Sequence, residues 1–468
     1  MSRSVVLGLD LGTSGVKAVL VGEDGRILAR ADRGYPVDSP QPGWAETDPA
    51  RWEAAAREAV AEVLSAVDAE VVAVGVDGQM HGTVLVDADG EPVRPAVLWP
   101  DGRAAEELAA WRTLSPERLR ALANPLAPGM TGPVLAWLSR HEPETVARAA
   151  RVLLPKDWLR TRLVPGALVT DPSDASATLL WDLERDAWSP DVLTAAGIRP
   201  DLLPDVVASD EVVGRLAPAE AASWGLPAGI PVVAGCADAA ATLEGSRAAS
   251  RRLVITVGSG AQVVLPAVTP AFDGPISHHT YRSADGGAYA MLAVMNAGIV
   301  LTRVVELLGG TWEDLYRDYD RDRPVPGFVP FLSGERLPRS IPVGSGRWFA
   351  MGLETQRADL FAAALEGVCF TIRRGVEVMP PVDDLVIDVA GGGTRSPVFG
   401  QLLADVLGRD LCRVDLEDAT AAGAALLAFP AAGIDRPEPG VRRGSPIMPR
   451  DPGPLSARYE RFLAEVDR

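Results

Sequence analysis

The sequence predicts an α/β protein of two domains, and three observations carry that prediction. At 468 residues the chain is far longer than the roughly 150 that one ordinary core needs. A strand, a turn of small residues and a second strand occupy residues 5–10 and 16–21, and the same plan returns over 252–257 and 262–265. Around these units short β-branched runs alternate with amphipathic stretches of helical period, the pattern of helices packed on sheets. The halves meet between Asp238 and Arg252, which gives domains at 1–245 and 246–468.

The elements follow in order. Residues 5–10 end in Asp10-Leu11-Gly12-Thr13-Ser14-Gly15, a tight turn into the strand 16–21, and Glu23-Asp24-Gly25 turns the chain into a third strand over 27–30. Asp48 supplies an N-cap and Pro49 a first helical position for a helix over 50–67. The strand 71–76 ends in Asp77-Gly78-Gln79-Met80-His81-Gly82 and is expected to pair with 83–86. Residues 103–204 read as helices and loops inserted on the sheet; within them Leu153-Leu154-Pro155-Lys156-Asp157-Trp158 marks a strand-to-helix junction by its proline and an Asp cap. A buried strand at 230–234 runs through Gly235-Cys236-Ala237-Asp238 into a helix from Ala239. In the second half come the break Gly258-Ser259-Gly260, a helix over 358–374, a strand over 385–389, the loop Gly391-Gly392-Gly393, and helices over 398–407 and 419–429.

Composition narrows the function. Hydrophobic residues at 47% and charged residues at 23% match ordinary globular chains and exclude wholesale disorder. With 63 acidic against 45 basic residues the net charge is −18, which repels nucleic acid and anionic membranes, so neither is an expected partner and any anionic ligand must be held locally. Three scattered cysteines without C-x-x-C spacing, and no signal-peptide pattern after Met1, point to a reducing cytoplasm. The apolar stretch 419–434 is broken by Gly423 and Pro430 and is too short to span a membrane; it reads as a packed helix.

Three small-residue loops are candidates for cradling phosphates. Gly12-Thr13-Ser14-Gly15 offers clustered N–H groups and two hydroxyls, and Lys17 follows, one of only two lysines among 45 basic residues. A compact ammonium there suits a terminal phosphate, although a plain hairpin with an exposed lysine gives the same local sequence. Gly258-Ser259-Gly260 repeats the arrangement, and Gly391-Gly392-Gly393 lets a strand-to-helix loop approach a flat ligand, so the three together suggest a nucleotide between the halves. Neither the P-loop nor the dinucleotide fingerprint is present. Asp10 and Asp238 both end strands, where ligands collect in α/β sheets, and could orient Mg²⁺ and accept a proton; a turn-capping Asp10 and an N-capping Asp238 are the plainer alternatives. Met80 and His81 combine a thioether and an imidazole suited to a sugar, while a hydrogen-bonded structural histidine is the simpler reading of His81 alone. Four histidines, two of them adjacent at His278-His279, give no metal-ligand spacing.

These segments, with Gly43-Trp44-Ala45-Glu46, Leu153 to Asp157 and Leu332-Ser333-Gly334-Glu335-Arg336, resemble the FGGY carbohydrate kinases of the sugar kinase, Hsp70 and actin superfamily, over nearly the whole chain. The resemblance implies two ribonuclease H-like domains that close on an interdomain cleft holding ATP and Mg²⁺. It implies Asp238 as catalytic base and sugar contact, Asp10 as the carboxylate organising Mg²⁺, and Met80 and His81 on the sugar. Gly12, Thr13, Ser14, Lys17, Gly258 and Ser259 fall on the phosphate side and Gly391 to Gly393 on the adenosine side, with Asp101 and Arg103 as further sugar contacts. Gln79 to Gly82 is similar to the segment of members acting on D-xylulose. The chain departs from the common pattern at Cys236-Ala237 and Ala239 (for Gly-Gly and Asn around the base), at Pro100, Val134 and Ser259-Gly260, and at Leu337-Pro338-Arg339. The expected activity is ATP-dependent phosphorylation of a ketopentose, D-xylulose first, with a homodimer as the possible assembly. The alternatives are another ketose or polyol, or a sugar- or nucleotide-binding protein of the same fold without transfer.

Overall fold

The computed structural model describes residues 3–246, 252–335, 341–382, 384–451 and 453–468; Arg336 to Arg339, which carry part of one family segment, lie outside the described residues. The elements that position the site begin with β1 (Arg3–Leu11), β2 (Gly15–Gly22), β3 (Ile27–Gly34), α1 (Pro49–Ala66) and β4 (Ala69–Gly78). They continue with α2 (Pro155–Thr161), β5 (Val212–Arg215), β6 (Pro231–Val233), β7 (Cys236–Ala237) and α3 (Asp238–Ser246). In the second half lie β8 (Arg252–Val257), β9 (Ala261–Leu265), β10 (His279–Arg282), β11 (Ala288–Val294), α4 (Arg357–Glu377) and β12 (Val386–Ala390). They are followed by α5 (Pro397–Leu407), β13 (Leu411–Val414), α6 (Ala419–Ala428) and β14 (Arg443–Ile447).

Each half builds a seven-stranded mixed sheet. The first runs β5-β6-β4-β1-β2-β3, with β7 also on β4; the second runs β10-β11-β9-β8-β12-β13-β14. Both contain an antiparallel hairpin (β1-β2, β8-β9), a third antiparallel strand beyond it (β3, β11), and a strand parallel to the hairpin's first member on the other side (β4, β12). The repeat of strand, turn and strand legible in the sequence is therefore a repeat of topology.

Alternation along β1 assigns its faces. Val5, Leu7 and Leu9 pack with Trp52, Ala56, Val60 and Val63 of α1, whose start is capped by Asp48 accepting from the Ala50 N–H at 3.0 Å. The opposite face carries Val6, with Val19, Val21 and Ala73, against Ala421, Ala425, Leu426 and Phe429. Those last residues lie in or directly after α6, so a helix from the second half covers the first half's sheet. The approach is close: a β-carbon on Gly75 would lie 1.9 Å from the Ala424 carbonyl oxygen, and one on Gly8 2.0 Å from that of Ala421.

One expected pairing is corrected. Val84–Val86 does not pair with the strand before it but with Arg151–Leu153, antiparallel, because β4 is already bonded on both edges, to β1 and to β6 and β7. The inserted helices bury Trp111, Leu135 and Leu138 in a cluster that also takes Met80 from the first half and Tyr281 and Tyr289 from the second. Among the described residues no helix is long and apolar enough to cross a membrane.

Candidate active site

Register brings four chemistry-bearing residues into one row. Lys17 on β2 pairs with Asp10 on β1, Asp10 with Asp77 on β4, and Asp77 with Cys236 on β7. Partners in register share a face, here the one covered by α6, and the row sits at the carboxyl ends of the parallel strands β1 and β4. Asp238 follows two residues beyond Cys236 and opens α3.

Electrostatics distinguishes the three carboxyls. Burial raises the pKa of Asp10, against a hydrogen bond that its Oδ2 accepts from Thr420 Oγ1 at 2.5 Å and the nearby Lys17 charge. Asp77 is wholly buried beside Asp10, and burial, the charges of Asp10 and Asp238 and a hydrogen bond with Asp10 drive its pKa far up. Asp238 keeps some solvent contact, yet burial and the Asp10 charge push its pKa up to about 7, while the Ala239 N–H donated to its Oδ1 at 2.7 Å pulls the other way. Asp238 is the first residue of α3, and its bond goes to the N–H of the next residue, not to one a turn further on as an N-cap would make.

The other expected residues fall around this row. Gly12 closes its turn by an N–H donated to the Gly15 carbonyl at 2.9 Å, and its own carbonyl accepts from Gln79 Nε2 and the Tyr35 hydroxyl. Thr13 Oγ1 accepts from Trp99 Nε1 at 2.9 Å and Ser14 is exposed. Lys17 donates to the Glu417 carbonyl at 3.0 Å and stands 3.9 Å from Asp418, so its ammonium ties β2 to the turn ahead of α6. Met80 is buried. His81 adopts a left-handed backbone with φ 70, and its Nδ1 lies 2.6 Å from the Ala177 carbonyl, with the ring 6.1 Å from that of Tyr281.

Asp101 and Arg103 are engaged with their own surroundings. Asp101 accepts from the Ala45 N–H at 2.7 Å and from three Arg103 nitrogens at 2.7–2.9 Å, which fills both oxygens. The Arg103 guanidinium also pairs with Glu46 at 2.7 Å and stacks 3.6 Å over Trp44. These contacts brace the 43–46 loop. Lys156 is fully buried among Asp157, Asp171 and Asp174 at 2.6–3.0 Å; Asp157 forms this cluster, and not a helix cap.

On the second sheet Thr256 pairs with Ala390, so the Gly258-Ser259-Gly260 turn and the Gly391–Gly393 loop leave neighbouring parallel strands side by side. Gly391 has φ 90, and a β-carbon there would meet the Val257 carbonyl at 2.4 Å, so the loop depends on glycine. Gly258, Ser259, Gly391 and Gly392 are exposed. The sequence reading passed over Asp77 and Thr420. The signal for Asp77 was its place at a strand end, shared with Asp10; Thr420 lies 410 positions from its partner and had none.

Comparison with known proteins agrees with this layout. The model for the FGGY family of carbohydrate kinases, N-terminal domain, matches residues 5–245, and that for the C-terminal domain matches 253–432. The xylulose kinase of Escherichia coli (strain K12) is 34% identical over 97% of this chain and 96% of its own. That of Klebsiella pneumoniae is 34% identical over 94% of this chain and 93% of its own. The crystal structure of xylulose kinase from Rhodospirillum rubrum superposes with a TM-score of 0.88 at 28% identity, covering 98% of both chains. The chain belongs to the FGGY family of carbohydrate kinases.

Proposed function

We propose that the protein transfers the terminal phosphoryl group of ATP to the primary hydroxyl of D-xylulose, giving D-xylulose 5-phosphate, in the cytoplasm. The observation that carries the reading is Asp238, a carboxyl with pKa about 7 at the end of a row of buried carboxyls and next to the Met80-His81 loop. A base with pKa near the working pH is deprotonated often enough to act and basic enough to take a hydroxyl proton. Asp238 accepts that proton as the sugar oxygen bonds to phosphorus and the bond from phosphorus to the leaving oxygen of ADP breaks. Phosphoryl transfer asks the protein for positioning and charge stabilisation, not for a covalent nucleophile. Met80 and His81 line the sugar side, and the left-handed backbone at His81 sets its ring toward Tyr281.

Mg²⁺ and ATP fit the residues present. Among the described residues no group of three protein side chains could hold a metal alone, while the carboxyls of Asp10 and Asp77 stand side by side in register at the strand ends. One or two carboxylates completed by phosphates and water is the ordinary Mg²⁺ arrangement. Asp10 would hold the ion with Asp77 beside it, and the ion would supply charge neutralisation on the phosphates. Gly12, Thr13, Ser14 and Lys17 from the first half, and Gly258 and Ser259 from the second, are the phosphate contacts; Gly391 to Gly393 face the adenosine.

The test is ADP release with ATP and Mg²⁺ across D-xylulose, D-ribulose, L-xylulose, L-ribulose, glycerol and several polyols. Preference for D-xylulose supports the reading. Preference for another member keeps the mechanism and changes the sugar, the result that Ala239 and Pro100 would explain. Binding of sugar and nucleotide by calorimetry without release would mark a non-catalytic binding protein.

A further inference from the structure

The segment that delivers Asp238 is held on one side only by the sheet. Strand β7 has two residues and among the described residues pairs with β4 alone, Cys236 to Asp77 and Ala237 to Gly78. On its open edge the Ala237 N–H donates to Ser173 Oγ at 2.8 Å. That hydroxyl has a single proton, which it donates to Asp171 Oδ2 at 2.6 Å, so its lone pairs are left to face Ala237. Asp171 is fixed in turn: Oδ2 also accepts from Ser209 Oγ at 2.8 Å, and Oδ1 lies 3.0 Å from Lys156 Nζ. Lys156, Asp171, Ser173 and Ala237 all have zero solvent exposure.

We infer that Ser173 is a positioning residue for the phosphoryl transfer: backed by Asp171 and Lys156, it sets the backbone immediately ahead of Asp238 and so aims that carboxylate at the sugar hydroxyl. The inference rests on the reading of Asp238 as the base. It gives a role to the Lys156 segment that a purely structural ion cluster would not have. Near-attack geometry is sensitive, and a displacement of about 1 Å can cost about a hundredfold in rate.

Ser209 provides the control. Its side chain makes the same kind of buried hydroxyl bond to Asp171 while Ala237 donates to Ser173; Ser209 meets the segment only through its backbone carbonyl, which accepts from the Gly235 N–H at 2.9 Å and survives the substitution. Ser173→Ala, Ser173→Cys and Ser209→Ala are compared with wild type and Asp238→Ala by steady-state ADP release with varied D-xylulose and ATP, and by thermal melting. Expected are a melting loss in Ser209→Ala with kcat within about twofold of wild type, and a fall in kcat of about tenfold or more in Ser173→Ala with KM for ATP unchanged. Ser173→Cys, whose sulfur is a weak acceptor, falls between and keeps the test available if Ser173→Ala folds poorly. Wild-type kcat in Ser173→Ala, or equal kcat losses in the Ser173→Ala and Ser209→Ala proteins, overturns the inference while an inactive Asp238→Ala leaves the base assignment standing. Turnover by Asp238→Ala near the wild-type rate overturns both.

Discussion

Replacing Asp238 by Asn should stabilise the protein as it silences it, and the amount is set by one carboxyl. In the unfolded chain this group titrates at 3.8; in the fold burial and Asp10 move it to about 7. The folded state therefore binds the proton more tightly than the unfolded state, so the stability this proton contributes is complete below pH 3.8 and is lost as pH rises to about 7. Roughly three pH units at about 1.36 kcal/mol each give about 4 kcal/mol, a ceiling because Asp238 keeps some contact with water. The amide that replaces the carboxyl does not titrate, so the advantage of Asp238→Asn over wild type should be flat below pH 4, climb between pH 4 and 7, and level off above. The burial shift at Glu366 is shared by both proteins and cancels in the difference, whereas Asp77, raised in part by the Asp238 charge, shifts less in the variant and adds to the climb. Denaturant midpoints from pH 3.5 to 8.5 read the curve, and ADP release should drop by about a hundredfold or more. A pH-independent difference would mean that Asp238 ionises like a surface carboxylate, and the argument for its role as a poised base would fail.

Two further outcomes follow from the same geometry. Lys17→Ala removes a half-exposed contact to Asp418, so stability should move by less than about 1 kcal/mol while KM for ATP rises; an unchanged KM would show that the ammonium serves only the turn ahead of α6. Gly75→Ala places a β-carbon 1.9 Å from the Ala424 carbonyl and should cost about 3 kcal/mol or more by pushing α6 away; Gly352→Ala, with nothing within 4 Å, should change melting little, and similar melts for the two would refute the close approach.

Much of the architecture was legible because it is local. Apolar β-branched runs closed by Gly-rich turns marked both hairpins, and Asp48-Pro49 marked the start of α1. Partner choice was not legible: the run at 84–86 carries no signal for residues 151–153, which lie far along the chain. The site shows the same division. Asp10 and Asp238 were visible as strand-ending acids beside small residues, whereas the meaning of Asp77 depends on the β1-β4 register and that of Thr420 on α6 crossing to the other sheet. For Asp101 and Arg103 the family segment marked a charged pair, but their bonds to Ala45 and Glu46 depend on how the 43–46 loop folds back and carry no local signal.

The seat of α6 on the first sheet bears on how this chain is made. A ribosome releases residues 3–246 long before 419–428, so the face bearing Val6, Val19, Val21, Ala73 and Val233 must wait uncovered through most of synthesis. A cut between 245 and 253, where the two family matches leave a gap, would strand the first fragment with that apolar face open and Asp10 deprived of Thr420. Residues 1–245 expressed alone should therefore aggregate, and adding back 246–468 should rescue them only by supplying α6.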